Sequence, residues 1–216
     1  MRRLRRMLSL TLVGAAIAVP ARAQNPEWQY QWFWGAKGGI ATYSLPTVGQ
    51  VVSPQVGGEW LITAKRTGLY LGVSQTVGIT ETDAFTFPNI SGTPVVTFNG
   101  MRRIQIAVLV FPTNGALQPY AGAGFVIETL PNATVSGLTG TALTASQNAV
   151  DAAASGGFFI TMVGAQLRMR KLALFAHAQI SPQGRDFLLG GSSVSLELGL
   201  RYALTGSRED DVTTRR

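Results

Sequence analysis

The stretch Ser193-Val194-Ser195-Leu196-Glu197-Leu198-Gly199-Leu200-Arg201-Tyr202-Ala203-Leu204 alternates without a break. Val194, Leu196, Leu198, Leu200, Tyr202 and Leu204 share one face, while Ser193, Ser195, Glu197, Gly199, Arg201 and Ala203 share the other. A period of two belongs to a β-strand whose two faces meet different surroundings. The polar face is made of small residues and isolated charges, not of the dense Lys and Glu that water would favour. The length suits a tilted strand that crosses a bilayer, which takes roughly 9–11 residues.

Upstream the same alternation recurs. Arg103 to Phe111 sets Ile104, Ile106, Val108 and Val110 against Arg103, Gln105, Ala107 and Leu109. A seventh segment sets Leu172, Leu174, Ala176, Ala178 and Ile180 against Phe175, His177 and Gln179. A second sets Val56, Trp60, Ile62 and Ala64 against Glu59, Thr63 and Lys65. A third covers Leu69 to Ser74 and a fifth Tyr120 to Glu128, while the first (Trp32 to Tyr43) and sixth (Phe158 to Arg170) alternate less cleanly. Tight connections near Arg66-Thr67, at Pro112 to Gly115 and near Lys171 take turns with longer ones at roughly 44–54, 80–100, 129–156 and 181–191. Thr141 to Ala154, rich in Ala and free of Gly and Pro, predicts a short helix in the longest of these.

Composition points the same way. The chain has 216 residues, 46% hydrophobic but only 13% charged, with no Cys and a net charge of +7. Soluble domains carry roughly 25% charged residues. The absence of cysteine excludes disulfides and thiolate metal sites, and no phosphate-binding loop or metal-ligand cluster is present, so no cofactor is expected. The basic excess sits at the start, where Arg2, Arg3, Arg5 and Arg6 precede an apolar run from Met7 to Val19 and the sequence Ala21-Arg22-Ala23. That order predicts a secretory signal peptide over 1–23. Its removal leaves 13 basic against 11 acidic residues, too little for nucleic-acid binding. No later segment is apolar for long enough to cross a membrane as a helix.

The exported, charge-poor, alternating chain predicts an all-β fold: an eight-stranded antiparallel up-and-down transmembrane β-barrel over 24–204, with short periplasmic turns, long extracellular loops and a polar periplasmic tail over 205–216. A soluble lipocalin-like barrel would reverse the faces and fill the outer one with Lys and Glu.

The last strand also resembles the β-signal by which outer-membrane proteins are recognised for assembly. Its pattern, polar-x-Gly-x-x-aromatic-x-hydrophobic, is filled by Glu197, Gly199, Tyr202 and Leu204. Pro119-Tyr120-Ala121-Gly122-Ala123-Gly124 is similar to fifth-strand wording in small outer-membrane barrels of the OmpA/OmpX type. The resemblance covers nearly all of the mature chain and is architectural. It implies the bacterial outer membrane as location. The partners it implies are outer-membrane lipid, periplasmic chaperones and the barrel-assembly machinery, with the protein itself a monomer. The tail beyond Leu204 is too short for a peptidoglycan-binding domain.

Candidate chemistry lies on the inward faces, at Lys37, Glu59, Lys65, Arg103, Gln105, Glu128, Gln166, Arg168, His177, Glu197 and Arg201. Lys37, Glu59, His177 and Glu197 are predicted at similar heights, where opposite charges in a narrow lumen must pair. The expected result is a structural charge cluster of Lys37, Glu59, Arg103, Arg168, His177, Glu197 and Arg201 that plugs the barrel. The competing readings are a selectivity constriction or a catalytic pair. A lipid A deacylase of the outer membrane would need a Ser two residues after its His, and here that position is Gln179; Ser181 lies about 13 Å from His177 at strand rise. No enzyme is expected. Trp28, Tyr30, Trp32, Trp34, Phe111 and Tyr202 fall near strand ends, and Trp32, Trp34 and Tyr202 are assigned to an interfacial girdle. The expected function is a structural or surface-interaction role. The alternative is a small passive, porin-like channel, followed by a lipid-modifying enzyme or a lipocalin-like binder.

Overall fold

A computed structural model describes residues 31–204 apart from 79, 88, 89, 91 and 185. The signal peptide and tail expected at 1–23 and 205–216, and Trp28 and Tyr30, lie outside the described residues. The strands are β1 (Gln31–Leu45), β2 (Gly49–Ala64), β3 (Thr67–Thr76), β4 (Glu81–Ala84), β5 (Val95–Phe98), β6 (Arg102–Val110), β7 (Leu117–Thr129), β8 (Thr134–Ser136), β9 (Ser155–Met169), β10 (Leu172–Pro182) and β11 (Gly190–Leu204). One helix, α1 (Gly140–Ala153), follows β8, where the Ala-rich stretch predicts it.

Eight of the strands close into a barrel in the order β1-β11-β10-β9-β7-β6-β3-β2. Every barrel pairing is antiparallel, and the seam is sealed by β1 against β11, from Trp32↔Leu204 to Thr42↔Val194. Closure leaves no sheet edge unpaired, which an apolar surround requires because backbone groups there find no water. Outward positions carry an apolar belt: Val108, Phe125, Leu198 and Leu200 are among many large side chains more than half exposed. Along β7 the belt runs from Leu117 to Ile127, roughly 25 Å at strand rise and ordinary tilt. No described helix is long and apolar enough to cross a membrane.

The two ends differ. One holds three tight connections, at Lys65-Arg66, 111–116 and Arg170-Lys171. At the other, the chain between β3 and β6 and between β7 and β9 folds into a second sheet, β4-β5-β8, with α1 beside β8. These loops enclose an apolar cluster of Tyr43, Phe85, Val96, Phe98, Met101, Leu130, Val150, Phe187, Leu188 and Leu189. The loops therefore form a packed cap with its own core.

One expected connection is absent. The 44–54 region is not a long loop: β1 and β2 continue to a tight turn over 46–48, closed by Leu45↔Gly49. Pro54 suggests a loop in the sequence, yet it is tolerated within β2. Its carbonyl accepts Val77 N–H at 2.9 Å just past the end of β3 at Thr76, so the N–H that proline lacks falls at the end of the ladder and not within it.

Neighbouring strands approach closely at some glycines. A Cβ on Gly39 would lie 1.9 Å from the Leu196 carbonyl oxygen of β11, whereas one on Gly157 would meet nothing within 4 Å. Gly39→Ala should therefore disrupt the β1–β11 seam, at a cost of about 1–3 kcal/mol or more, while Gly157→Ala should be tolerated. The folded fraction on a heat-modifiability gel checks both; equal yields would contradict the seam geometry.

Candidate functional site

Three carboxylates and three of the cations named above are sealed inside the barrel as pairs. Glu197 on β11 is the centre. Its Oε2 accepts from Lys37 Nζ at 2.8 Å, His177 Nε2 at 2.7 Å and Gln179 Nε2 at 3.0 Å, and its Oε1 from Gln55 Nε2 at 2.9 Å. Lys37 also donates to Tyr70 Oη at 2.9 Å. The Tyr120 hydroxyl lies 2.9 Å from His177 Nδ1. With Nε2–H directed at Glu197, Nδ1 of a neutral ring accepts from Tyr120.

Nearer the turn end, Arg201 Nε pairs with Glu59, its Nη1 donates to Gln166 Oε1 at 2.7 Å, and its guanidinium lies 3.9 Å from the Phe175 ring centroid. Nearer the cap, Arg103 Nε lies 3.1 Å from Glu128 Oε1 and its Nη1 donates to Ser195 Oγ at 2.8 Å. Gln183 closes over Glu128 Oε2 at 2.6 Å. All six paired Lys, Arg and Glu side chains are buried.

Glycine placement decides which side chains meet. Gly35 is opposite both Glu59 on β2 and Arg201 on β11, so those two reach one another across a strand position with no side chain. Gly39 likewise separates Gln55 from Glu197, and Gly164 separates Tyr120 from His177. Lys37 is flanked by Gly57 and Gly199, which leaves its long stem room. Glycine and a long polar residue thus alternate across neighbouring strands.

Several expectations need correction. Glu59 does not share the level of Lys37, His177 and Glu197; it belongs to the Arg201 pair. Lys65 is exposed in the β2–β3 turn and does not line the lumen. Arg168 is half-buried near the turn end, against Gln31 and 5.4 Å from the Phe33 ring centroid, with no carboxylate partner among the described residues. Phe111, which the sequence assigns to no girdle, lies inside the barrel, 5.4 Å from the Tyr120 ring. Trp32, Trp34 and Tyr202 do face outward, and Trp34 stacks on Trp60 at 5.6 Å. In the Glu197, Gly199, Tyr202 and Leu204 pattern, Glu197 points inward while Tyr202 and Leu204 point outward. Gln55 goes unrecognised in the sequence because the second strand starts earlier than its alternation indicates. Its even spacing from Glu59 is the signal that finds it.

Both nitrogens of His177 are engaged, and the Ser181 hydroxyl makes no hydrogen bond to it. Each of the fully buried cations Lys37, Arg103 and Arg201 has a carboxylate beside it. Glu197→Ala would strand the Lys37 charge in the interior and should lose about 3–5 kcal/mol of stability. Lys37→Met with Glu197→Gln should recover most of that loss. Urea unfolding of the refolded barrel measures both; an unchanged midpoint for Glu197→Ala would refute the pairing.

No family model matches the chain, and no curated protein matches it. Solved structures do. Neisserial surface protein A superposes with a TM-score of 0.52 at 13% identity, over 79% of this chain and 96% of the other. Ail, the attachment invasion locus protein of Yersinia pestis, superposes with a TM-score of 0.51 at 10% identity, over 82% of this chain and 99% of the other. At such identities the likeness establishes the architecture, and the chain has the fold of the small bacterial outer-membrane β-barrels.

Proposed function

We propose that the protein resides in a bacterial outer membrane as a closed barrel whose capped loop end is a surface-interaction platform. The turn end then faces the periplasm, since short turns lie there in barrels of this kind. The observation that carries the reading is a double seal: a charge-paired lumen, with an apolar loop core above it. A conducting channel needs neither, and each obstructs one. The loop sheet, α1 and the exposed tip of the β1–β2 hairpin (Val48, 62% exposed) hold the outer surface in a fixed shape. Ail was solved with a heparin analogue, which supports a contact role for a barrel of this size. The same ligand class does not suit this chain, whose capped end carries Glu81, Asp83, Asp151 and Asp186 against exposed Arg102 among the described residues.

Glu197, Gly199, Tyr202 and Leu204 would serve the barrel-assembly machinery, with periplasmic chaperones delivering a chain that acts as a monomer in outer-membrane lipid. A catalytic role gains no support from a histidine with both nitrogens occupied. Recording from purified protein in a planar bilayer tests the proposal. Wild type should give no steady ion conductance, and regular unitary steps from wild type would replace the platform with a channel.

A further inference from the structure

The turn end carries a concentration of positive charge that the lumen does not use. Lys65, Arg66, Arg170 and Lys171 are exposed in two hairpin turns, with Arg168 half-buried beside them. Among the described residues no acid lies at this end. Glu59, Glu128 and Glu197 are inside the barrel, and Glu81, Asp83, Asp151 and Asp186 belong to the capped end.

The charge is one-sided. Going round the barrel from β9 through β10, β11, β1 and β2 to β3, the two basic turns flank β11 and β1. The third tight connection, Pro112-Thr113-Asn114-Gly115, has no charge and lies between β6 and β7 on the other side. The aromatic row occupies the basic half as well. Trp34 is opposite Trp60 on β2 and Tyr202 on β11, and Tyr202 is opposite Leu172 on β10. Arg170 and Lys171 come immediately beyond Leu172, and Lys65 lies three residues beyond Ile62, the partner of Trp32. Amphipathic rings settle at the headgroup level, so these cations stand one step outside it, where lipid phosphates are.

Backbone geometry gives an independent sign. Lys65 has φ 52° and Arg170 φ 55°, the left-handed region that glycine or asparagine enters more cheaply. Both two-residue turns thus place a cation where an uncharged residue would be conformationally easier. The turns are also anchored: Phe111 N–H donates to the Arg66 carbonyl at 2.8 Å, and Ala203 N–H to the Lys171 carbonyl at 2.7 Å.

We propose that this crescent, Lys65, Arg66, Arg170 and Lys171 around Trp32, Trp34, Trp60 and Tyr202, binds the headgroups of anionic phospholipids in the periplasmic leaflet. Long basic stems lie along the apolar rim while their heads reach the phosphates. A diester with net negative charge is favoured over a zwitterionic one, because the latter brings its own cation to the basic surface. The inference rests on the membrane placement proposed above.

Tryptophan quenching tests it. Full-length mature protein is refolded into vesicles of phosphatidylcholine, with brominated phosphatidylglycerol or brominated phosphatidylcholine as quencher. Trp32, Trp34 and Trp60 should report phosphatidylglycerol favoured by about five-fold or more at low salt. The preference should approach unity in molar salt, where the screening length is about 3 Å. Lys65→Asn, Arg66→Gln, Arg170→Asn and Lys171→Gln together should abolish it, with asparagine suiting the left-handed positions. No preference in wild type, a preference indifferent to salt, or one retained by the folded quadruple variant would overturn the proposal. Should that variant fail to fold, the salt series on wild type decides alone. Quenching by neither lipid would instead overturn the membrane placement.

Discussion

The carboxylate of Glu197 gathers Lys37 from β1, Gln55 from β2, and His177 and Gln179 from β10. An eight-stranded barrel has an interior just wide enough for side chains to fill, so charge placed there has little water to fall back on. Each fully buried cation must be matched, and here each is: Arg201 by Glu59, Lys37 by Glu197, Arg103 by Glu128. The pairs also tie together strands far apart in sequence, since Glu59 and Arg201 lie on β2 and β11. Such a network is weak evidence for net stability, because burying the ions is itself costly. Its effect is on register, since a slip by one residue would turn every charge toward the apolar belt.

The glycines make the network possible. Where a glycine occupies the strand position between two long polar residues, the two can touch; where it flanks one, as at Lys37, the chain has room to extend. The inner wall is thus a mosaic of gaps and charges, and the outer wall is nearly continuous hydrocarbon. Low charge content and abundant glycine are two consequences of one geometry, a narrow lumen inside an apolar exterior.

Much of this was legible from periodicity. The parity of Glu197 and Arg201 against Leu198 and Leu200 assigns the inward face of β11, and the same rule places Arg103, His177 and Lys37. Levels were less legible, because relative height depends on the stagger between strands. Glu59 joined Arg201 and not Lys37 for that reason. The 44–54 region reads as a longer connection, whereas β1 and β2 run on to a turn over 46–48; that β2 accommodates Pro54 depends on β3 stopping at Thr76, a tertiary fact. Lys65 and Arg168 sit at strand ends, where a one-residue change in the turn decides whether a side chain enters the lumen. The apolar loop core had no sequence signature, since Phe85 and Phe98 come from one connection and Val150 and Phe187 from two others, and they meet only after folding.

A sealed, inward-facing polar interior can be probed with a single thiol, because the chain has no cysteine. Ser74 on β3 is 2% exposed and makes no hydrogen bond that the substitution would remove. Ser74→Cys, folded in vesicles and treated with a membrane-impermeant thiol reagent, should remain unmodified until heat in detergent opens the barrel, and should then react fully. Rapid labelling of the folded protein would mean that the lumen is open to water, contradicting the account at its centre.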